Sequence, residues 1–278
     1  MHEVVFLWLL VMFGWRAIFE NFDNNIENFI YLEWAAIPVT MIILSRRFIQ
    51  NEHQDFVEWM GERVLKRYFP ELFVVTIASV CLGISCWALL VFLSAQIDAD
   101  WAYRHWHFAA PTDFDRANWL PNWIVLYSIT TIILGPIMEE IVFRGFVLRR
   151  LQEKHSLGVA IVISSLIFGF FHLHKNFLGS FFHGVICALV TIKFASLYAA
   201  IFVHAGYNAM IVFMERFYGF FLTAEISRIG SISYWLPELA LLVISLAAFF
   251  WYWKIGLRSL NAAPSALIQV CPLGGKRP

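Results

Sequence analysis

Long apolar runs separated by short polar stretches dominate this chain, and most runs have the length of a bilayer-crossing helix. About 20 apolar residues span the hydrocarbon core. Such runs occupy residues 4–19, 29–45, 72–95, 123–141, 157–173, 180–194, 197–214 and 236–253, and they predict about eight transmembrane helices. The sixth is short, the first carries Arg16 and the second Glu33, and these two charges are expected to pair. Residues 49–68 are amphipathic with mixed charge and predict a helix lying along the cytoplasmic surface. Residues 96–121 hold Asp98, Asp100, Asp113, Asp115 and several tryptophans, and predict an outward loop touching the interface. No fixed-period repeat and no low-complexity linker divides the chain. The expected fold is all-α, a polytopic membrane helical bundle forming one domain over residues 1–278, with its chemistry in spans four to seven.

Composition sharpens this picture. The chain is 60% hydrophobic and 14% charged, whereas a soluble domain has roughly 45–50% apolar and about 25% charged residues. That excess excludes an ordinary soluble domain. Its 28 Phe and 12 Trp suit aromatic belts at the two membrane interfaces. The net charge is zero and no basic cluster stands out, which argues against nucleic acid as a partner. The N-terminal run lacks a basic leader and a small-residue cleavage site, so it is expected to be a span and not a removable signal. Arg46, Arg47, Arg63, Lys66, Arg67, Arg149, Arg150, Lys154, Lys193, Lys254 and Arg258 fall on one side if both termini are cytoplasmic. Arg104, Arg116, Lys175, Arg216 and Arg228 fall on the other, so the bias is clear but imperfect. Cys81, Cys86, Cys187 and Cys271 form no C-x-x-C pair, and Cys271 is not fourth from the end as a prenylation box requires. The first three lie in apolar runs and are expected to be small buried residues.

Against this background two adjacent carboxylates are costly. Glu139 and Glu140 close the fourth apolar run, followed by Arg144. A carboxylate in hydrocarbon costs a few kcal/mol or more. On a helix Glu140 and Arg144 are one turn apart in the favourable order, while Glu139 points about 100° away. Glu140 is therefore the expected partner of Arg144, and Glu139 is left to face a cavity as a general base. A charge cluster at the membrane edge, with Arg144 snorkelling, would be the structural alternative. Phe168 and His172 share a face near the end of the fifth span, where His172 could equally be a hydrogen-bonded structural residue. His174 and His183 have that bland reading too. In the seventh span His204 and Asn208 share one face with small residues between them. They could bond to another helix, or both could donate to a developing oxyanion.

Glu139-Glu140-x-x-x-Arg144, then Phe168-x-x-x-His172, then His204-x-x-x-Asn208, each on a successive apolar helix, resembles the CAAX-protease and bacteriocin-processing family of intramembrane glutamic endopeptidases, related to the type II CAAX prenyl proteases. The resemblance covers residues 123–216, which it marks as the catalytic core. It implies that Glu139 and His172 activate a water, that His204 and Asn208 stabilise the tetrahedral oxyanion, and that Glu140 and Arg144 orient the first glutamate. Family members often have a glycine-rich sixth helix, whereas here it holds only Gly179 and Gly184, with His183 intruding. The expected substrate is a membrane-anchored protein or peptide cut near its C-terminus, and the expected location is a bacterial inner membrane. No cofactor is expected. Zinc held by His172, His204 and Glu139 is the metal alternative, although no H-E-x-x-H is present. A non-enzymatic scaffold or immunity protein of the same fold, and a transporter, are the competing functions. Against transport, no inverted repeat is visible.

Overall fold

The computed structural model describes residues 10–11, 14–15, 28–52, 54–106, 121–173, 176–218 and 226–262. Among these the fold is helical, with a single antiparallel bridge between Gly61 and Ser196. The longer elements are α1 (Asn28–Asn51), α2 (Phe56–Met60), α3 (Phe69–Ile97), α4 (Ala99–Trp106) and α5 (121–152). They are followed by α6 (Leu157–Phe171), α7 (Phe177–Phe194), α8 (Leu197–Tyr218), α9 (Ile226–Ile229) and α10 (Ile232–Ala262). Helix α5 is continuous but changes its winding. It is α-helical over Gly135–Glu140, with wide i→i+5 turns on either side at Thr130–Leu134 and Ile141–Leu148.

Five of the described helical stretches are long and apolar enough to cross a membrane: Lys66–Ile97, Val125–Gln152, Phe177–Phe194, Leu197–Met214 and Ile232–Ile255. They correspond to five expected spans. The expected total of eight is not reached among the described residues. Helix α6 has 15 residues, which at 1.5 Å per residue gives about 22 Å, short of a hydrocarbon core of about 30 Å. The run 29–45 lies within α1, which is not one of the five. The run 4–19 lies largely outside the described residues, as do the Arg16 and Glu33 side chains and Cys271.

Helix α3 is the central post, packed against α7, α8 and α10. The principal core joins Leu72, Leu82 and Cys86 of α3 to Leu148 of α5, Ile161 of α6 and Leu189 of α7. Apolar side chains gain little by leaving lipid, so close backbone approach carries membrane packing. Missing side chains provide it here. A Cβ on Gly184 would stand 3.1 Å from Ser165 Cβ of α6, and one on Gly206 of α8 would stand 2.9 Å from Thr76 Cγ2 of α3. Cys86 and Cys187 are buried and Cys81 partly so, all three as free thiols.

Two expectations about the connecting segments are corrected. Residues 49–68 are not one surface helix. The end of α1 passes into a short α2, capped by Asp55 Oδ1, which accepts from Val57 and Glu58 N–H groups at 2.8 and 3.0 Å. Gly61 then stops α2 in a left-handed conformation (φ 89°), and Trp59 and Met60 are buried within the bundle. The local helical pattern yields to a glycine stop and to burial of the tryptophan. Residues 99–106 of the expected loop are likewise helical, as α4. Trp101 N–H bonds to Asp98 Oδ1 at 2.8 Å, and Trp106 packs in a second cluster with Trp87 and Trp235. Residues 107–120 lie outside the described part.

Candidate active site

The candidate site lies where α5, α6, α7 and α8 meet, and the winding of α5 sets its geometry. In the first wide turn, Gly135 N–H bonds to Thr130 O. Pro136 follows and has no N–H to give. The Thr131 carbonyl is thereby left without a helical donor. Asn208 of α8 fills the place, its Nδ2 donating to Thr131 O at 2.8 Å. Winding changes of this kind concentrate at functional sites.

Glu140 is fully buried, and its Oε1 accepts two hydrogen bonds. One comes from Arg144 NH1 at 3.1 Å, the other from His204 Nδ1 at 2.7 Å. Arg144 is also buried. It donates through NH2 to Gly184 O of α7 at 2.9 Å, and its guanidinium lies 4.7 Å from the Phe168 ring centre of α6. The glutamate–arginine pair expected from helix spacing is therefore present. Its third partner, His204, was not expected, because the sequence assigned Glu140 to Arg144 alone.

Glu139 approaches the other edge of the same imidazole. Its Oε2 lies 3.6 Å from His204 Nε2, has no hydrogen-bond partner among the described residues, and belongs to a side chain that is 23% exposed. His204 is thus held between two carboxylates, tightly at Nδ1 and loosely at Nε2. An ionised carboxylate can only accept, so Nδ1 carries the proton given to Glu140.

His172 is the first residue beyond α6. Its Nδ1–H donates to Phe168 O at 2.9 Å, and the Phe168 ring centre lies 4.6 Å from its own. A carbonyl cannot donate, so the proton of the neutral ring is fixed on Nδ1 and Nε2 is left as the acceptor. This gives the Phe168–His172 spacing a physical meaning: the residue four back supplies the carbonyl that sets the tautomer. Among the described residues no hydrogen bond or ion pair joins His172 to Glu139 or His204. Phe168 is the link, its ring also lying 5.8 Å from that of His204. His174 lies outside the described residues.

His183, taken from the sequence as bland, stands inside the cluster. It is buried, its ring centre is 4.7 Å from that of His204, and its Nδ1 hydrogen-bonds Ser79 Oγ of α3 at 2.8 Å. Its Nε2 lies 3.5 Å from Cys187 Sγ, and its ring faces Tyr207 at 4.4 Å. The one-turn spacing of His183 and Cys187 was visible in the sequence, but Ser79 is 104 residues away. By distance, His183, Cys187 and His204 form a group able to hold a metal ion, with ligand atoms within 4.8 Å of one another. This trio differs from the His172, His204 and Glu139 set considered for zinc. A thiolate and two imidazoles suit zinc, and Ser79 and Glu140 would be the outer partners of the two histidines.

A family model covers this same region. Residues 121–210 match the family model "Type II CAAX prenyl endopeptidase Rce1-like". A stretch of 99 residues is 34% identical to the "Putative membrane peptidase YdiL" of Bacillus subtilis (strain 168), covering 33% of this chain and 38% of that protein. No solved structure matches. The matched segment 121–210 contains Glu139, Glu140, Arg144, His172, His204 and Asn208, and also His183 and Cys187.

Proposed function

We propose that the chain is an intramembrane, glutamate-dependent endopeptidase that cuts a membrane-associated protein or peptide near its C-terminus by attack of an activated water. The observation that carries this reading is His204 held between Glu139 and Glu140 within the Rce1-like segment. Glu139, the more exposed of the two carboxylates, takes the proton of the water and returns it to the leaving amine. His172 accepts at Nε2 and helps to hold that water. As the carbonyl carbon becomes tetrahedral, His204 and Asn208 donate to the oxyanion. Donation by His204 through Nε2, with Nδ1 still on Glu140, calls for the imidazolium, whose charge Glu140 balances. Asn208 spends one amide hydrogen on Thr131 O and keeps the second for the oxyanion. Arg144 anchors Glu140 to α6 and α7.

The test is C-terminal proteomics of membranes carrying wild-type protein or Glu139→Gln at matched abundance. Uncleaved termini that accumulate only in the variant name the substrate. If the two profiles coincide and purified protein cleaves none of the candidates, a non-enzymatic scaffold of the same fold replaces the enzyme.

A further inference from the structure

The segment 55–62 lies outside the Rce1-like region, yet it touches both helices that meet at the glutamates. On one side Trp59 is fully buried, and its indole occupies the space that a side chain at Gly145 would need. Gly145 directly follows Arg144 within the wide turn Ile141–Leu148. The indole is fastened there. Its ring centre lies 4.9 Å from that of Phe146 and 4.4 Å from the Arg149 guanidinium, and Arg149 NH2 donates to Trp59 O at 2.8 Å.

On the other side the segment is stitched to the turn that starts α8. Glu62 N–H donates to Ala195 O at 3.2 Å, and Ser196 Oγ–H donates to Glu62 O at 2.5 Å. Gly61 is needed there, since a Cβ would run into the Ala195 carbonyl and its φ of 89° disfavours other residues. Ser196 directly precedes α8, and His204 lies about 12 Å further along at 1.5 Å per residue. Only Met60 and Gly61 separate the tryptophan from the stitch. The result is a short strut from the stretch of α5 just after Arg144 to the base of the His204 helix.

We propose that Trp59, seated on Gly145, is a positioning residue that sets the Glu140–His204 contact. Two features favour positioning over ordinary packing. An i→i+5 turn is intrinsically poorer than an α-turn, so the 141–148 stretch needs outside support, and the ring supplies it at the residue after Arg144. Among the described residues, the buried Trp59 Nε1 has no hydrogen-bond partner. An unpaired buried N–H is a cost, so the ring is present for its shape. As a statement about catalysis the proposal rests on the protease reading above.

The test is a double-mutant cycle of Gly145→Ala, Trp59→Ala and the two together, with Trp59→Phe as a milder variant. Gly145→Ala drives the ring out of its seat and is expected to lower kcat about 100-fold with KM unchanged, the cost of a displacement of roughly 1 Å. In the double variant the methyl group enters vacated space, and kcat recovers about tenfold from the Gly145→Ala value, a non-additivity that contact residues show. Trp59→Phe falls between wild type and Trp59→Ala. Losses that simply multiply, or variants that melt earlier but turn over normally when folded, overturn the proposal. A readout free of substrate is the imidazole signal of His204 in 15N-histidine protein in detergent micelles, assigned with His204→Gln. The Nδ1 proton bonded to Glu140 is expected downfield, shifted or lost in Gly145→Ala, and restored in the double variant. An unmoved signal overturns the strut even if cleavage is never found. The expected signal pattern in a protein that cleaves nothing overturns the protease reading alone.

Discussion

Replacing Glu140 by leucine and Arg144 by methionine, singly and together, separates the structural use of the buried pair from its chemical use. Both side chains are essentially without solvent contact. In Glu140→Leu, Arg144 keeps the Gly184 carbonyl and the Phe168 ring but loses its carboxylate. Leaving one member of a buried pair uncompensated costs about 3–5 kcal/mol, or roughly three decades in the folded-to-unfolded ratio at about 1.4 kcal/mol per decade. In the double variant Arg144 is no longer left as a buried cation without its carboxylate, and apolar residues of similar volume in place of a buried pair are often neutral or stabilising. Stability should therefore return to within about 2 kcal/mol of wild type. Turnover should not return. His204 Nδ1 has lost its 2.7 Å acceptor in both Glu140→Leu and the double variant, and a misplaced catalytic ring costs about 100-fold or more in kcat. Equilibrium unfolding in SDS-titrated mixed micelles, read by tryptophan fluorescence, gives the first quantity. Cleavage of a membrane-anchored reporter identified by the proteomic comparison gives the second. A double variant no more stable than Glu140→Leu, or one that turns over like wild type, would refute the reasoning.

Three further outcomes are expected. Asn208→Ala removes the proposed oxyanion donor and the tether to Thr131, and should lower kcat by about 10²–10³ with little change in KM; single-turnover rates that match wild type contradict that role. Ser79→Ala strands the His183 Nδ1 and should cost about 1–3 kcal/mol of stability while the folded protein keeps its turnover, as measured by paired unfolding and rate assays. On the proposed mechanism, with Glu139 as the activating group, protein stripped with a chelator should cleave as fast as untreated protein. Loss of activity restored by zinc would place a metal in the reaction, at the His172, His204 and Glu139 set or at the His183, Cys187 and His204 trio.

Helical periodicity, a local property, was enough to pair Glu140 with Arg144, to put Phe168 and His172 one turn apart, and to set His204 and Asn208 on one face. Composition was enough to make the chain a helical membrane protein, since so apolar a sequence leaves its backbone few other ways to satisfy its hydrogen bonds in lipid. Contacts between helices were not legible, because they depend on crossing angles and on the rotation of each helix about its axis. Only the packed structure brought Glu140 to His204 across 64 residues, His183 to Ser79 across 104, and Trp59 to the bare face of Gly145. It also widened α5 beside Pro136 and after Glu140, and shortened α6 so that His172 falls just past its end. Periodicity selects the faces of single helices, whereas close packing of four of them selects which faces meet.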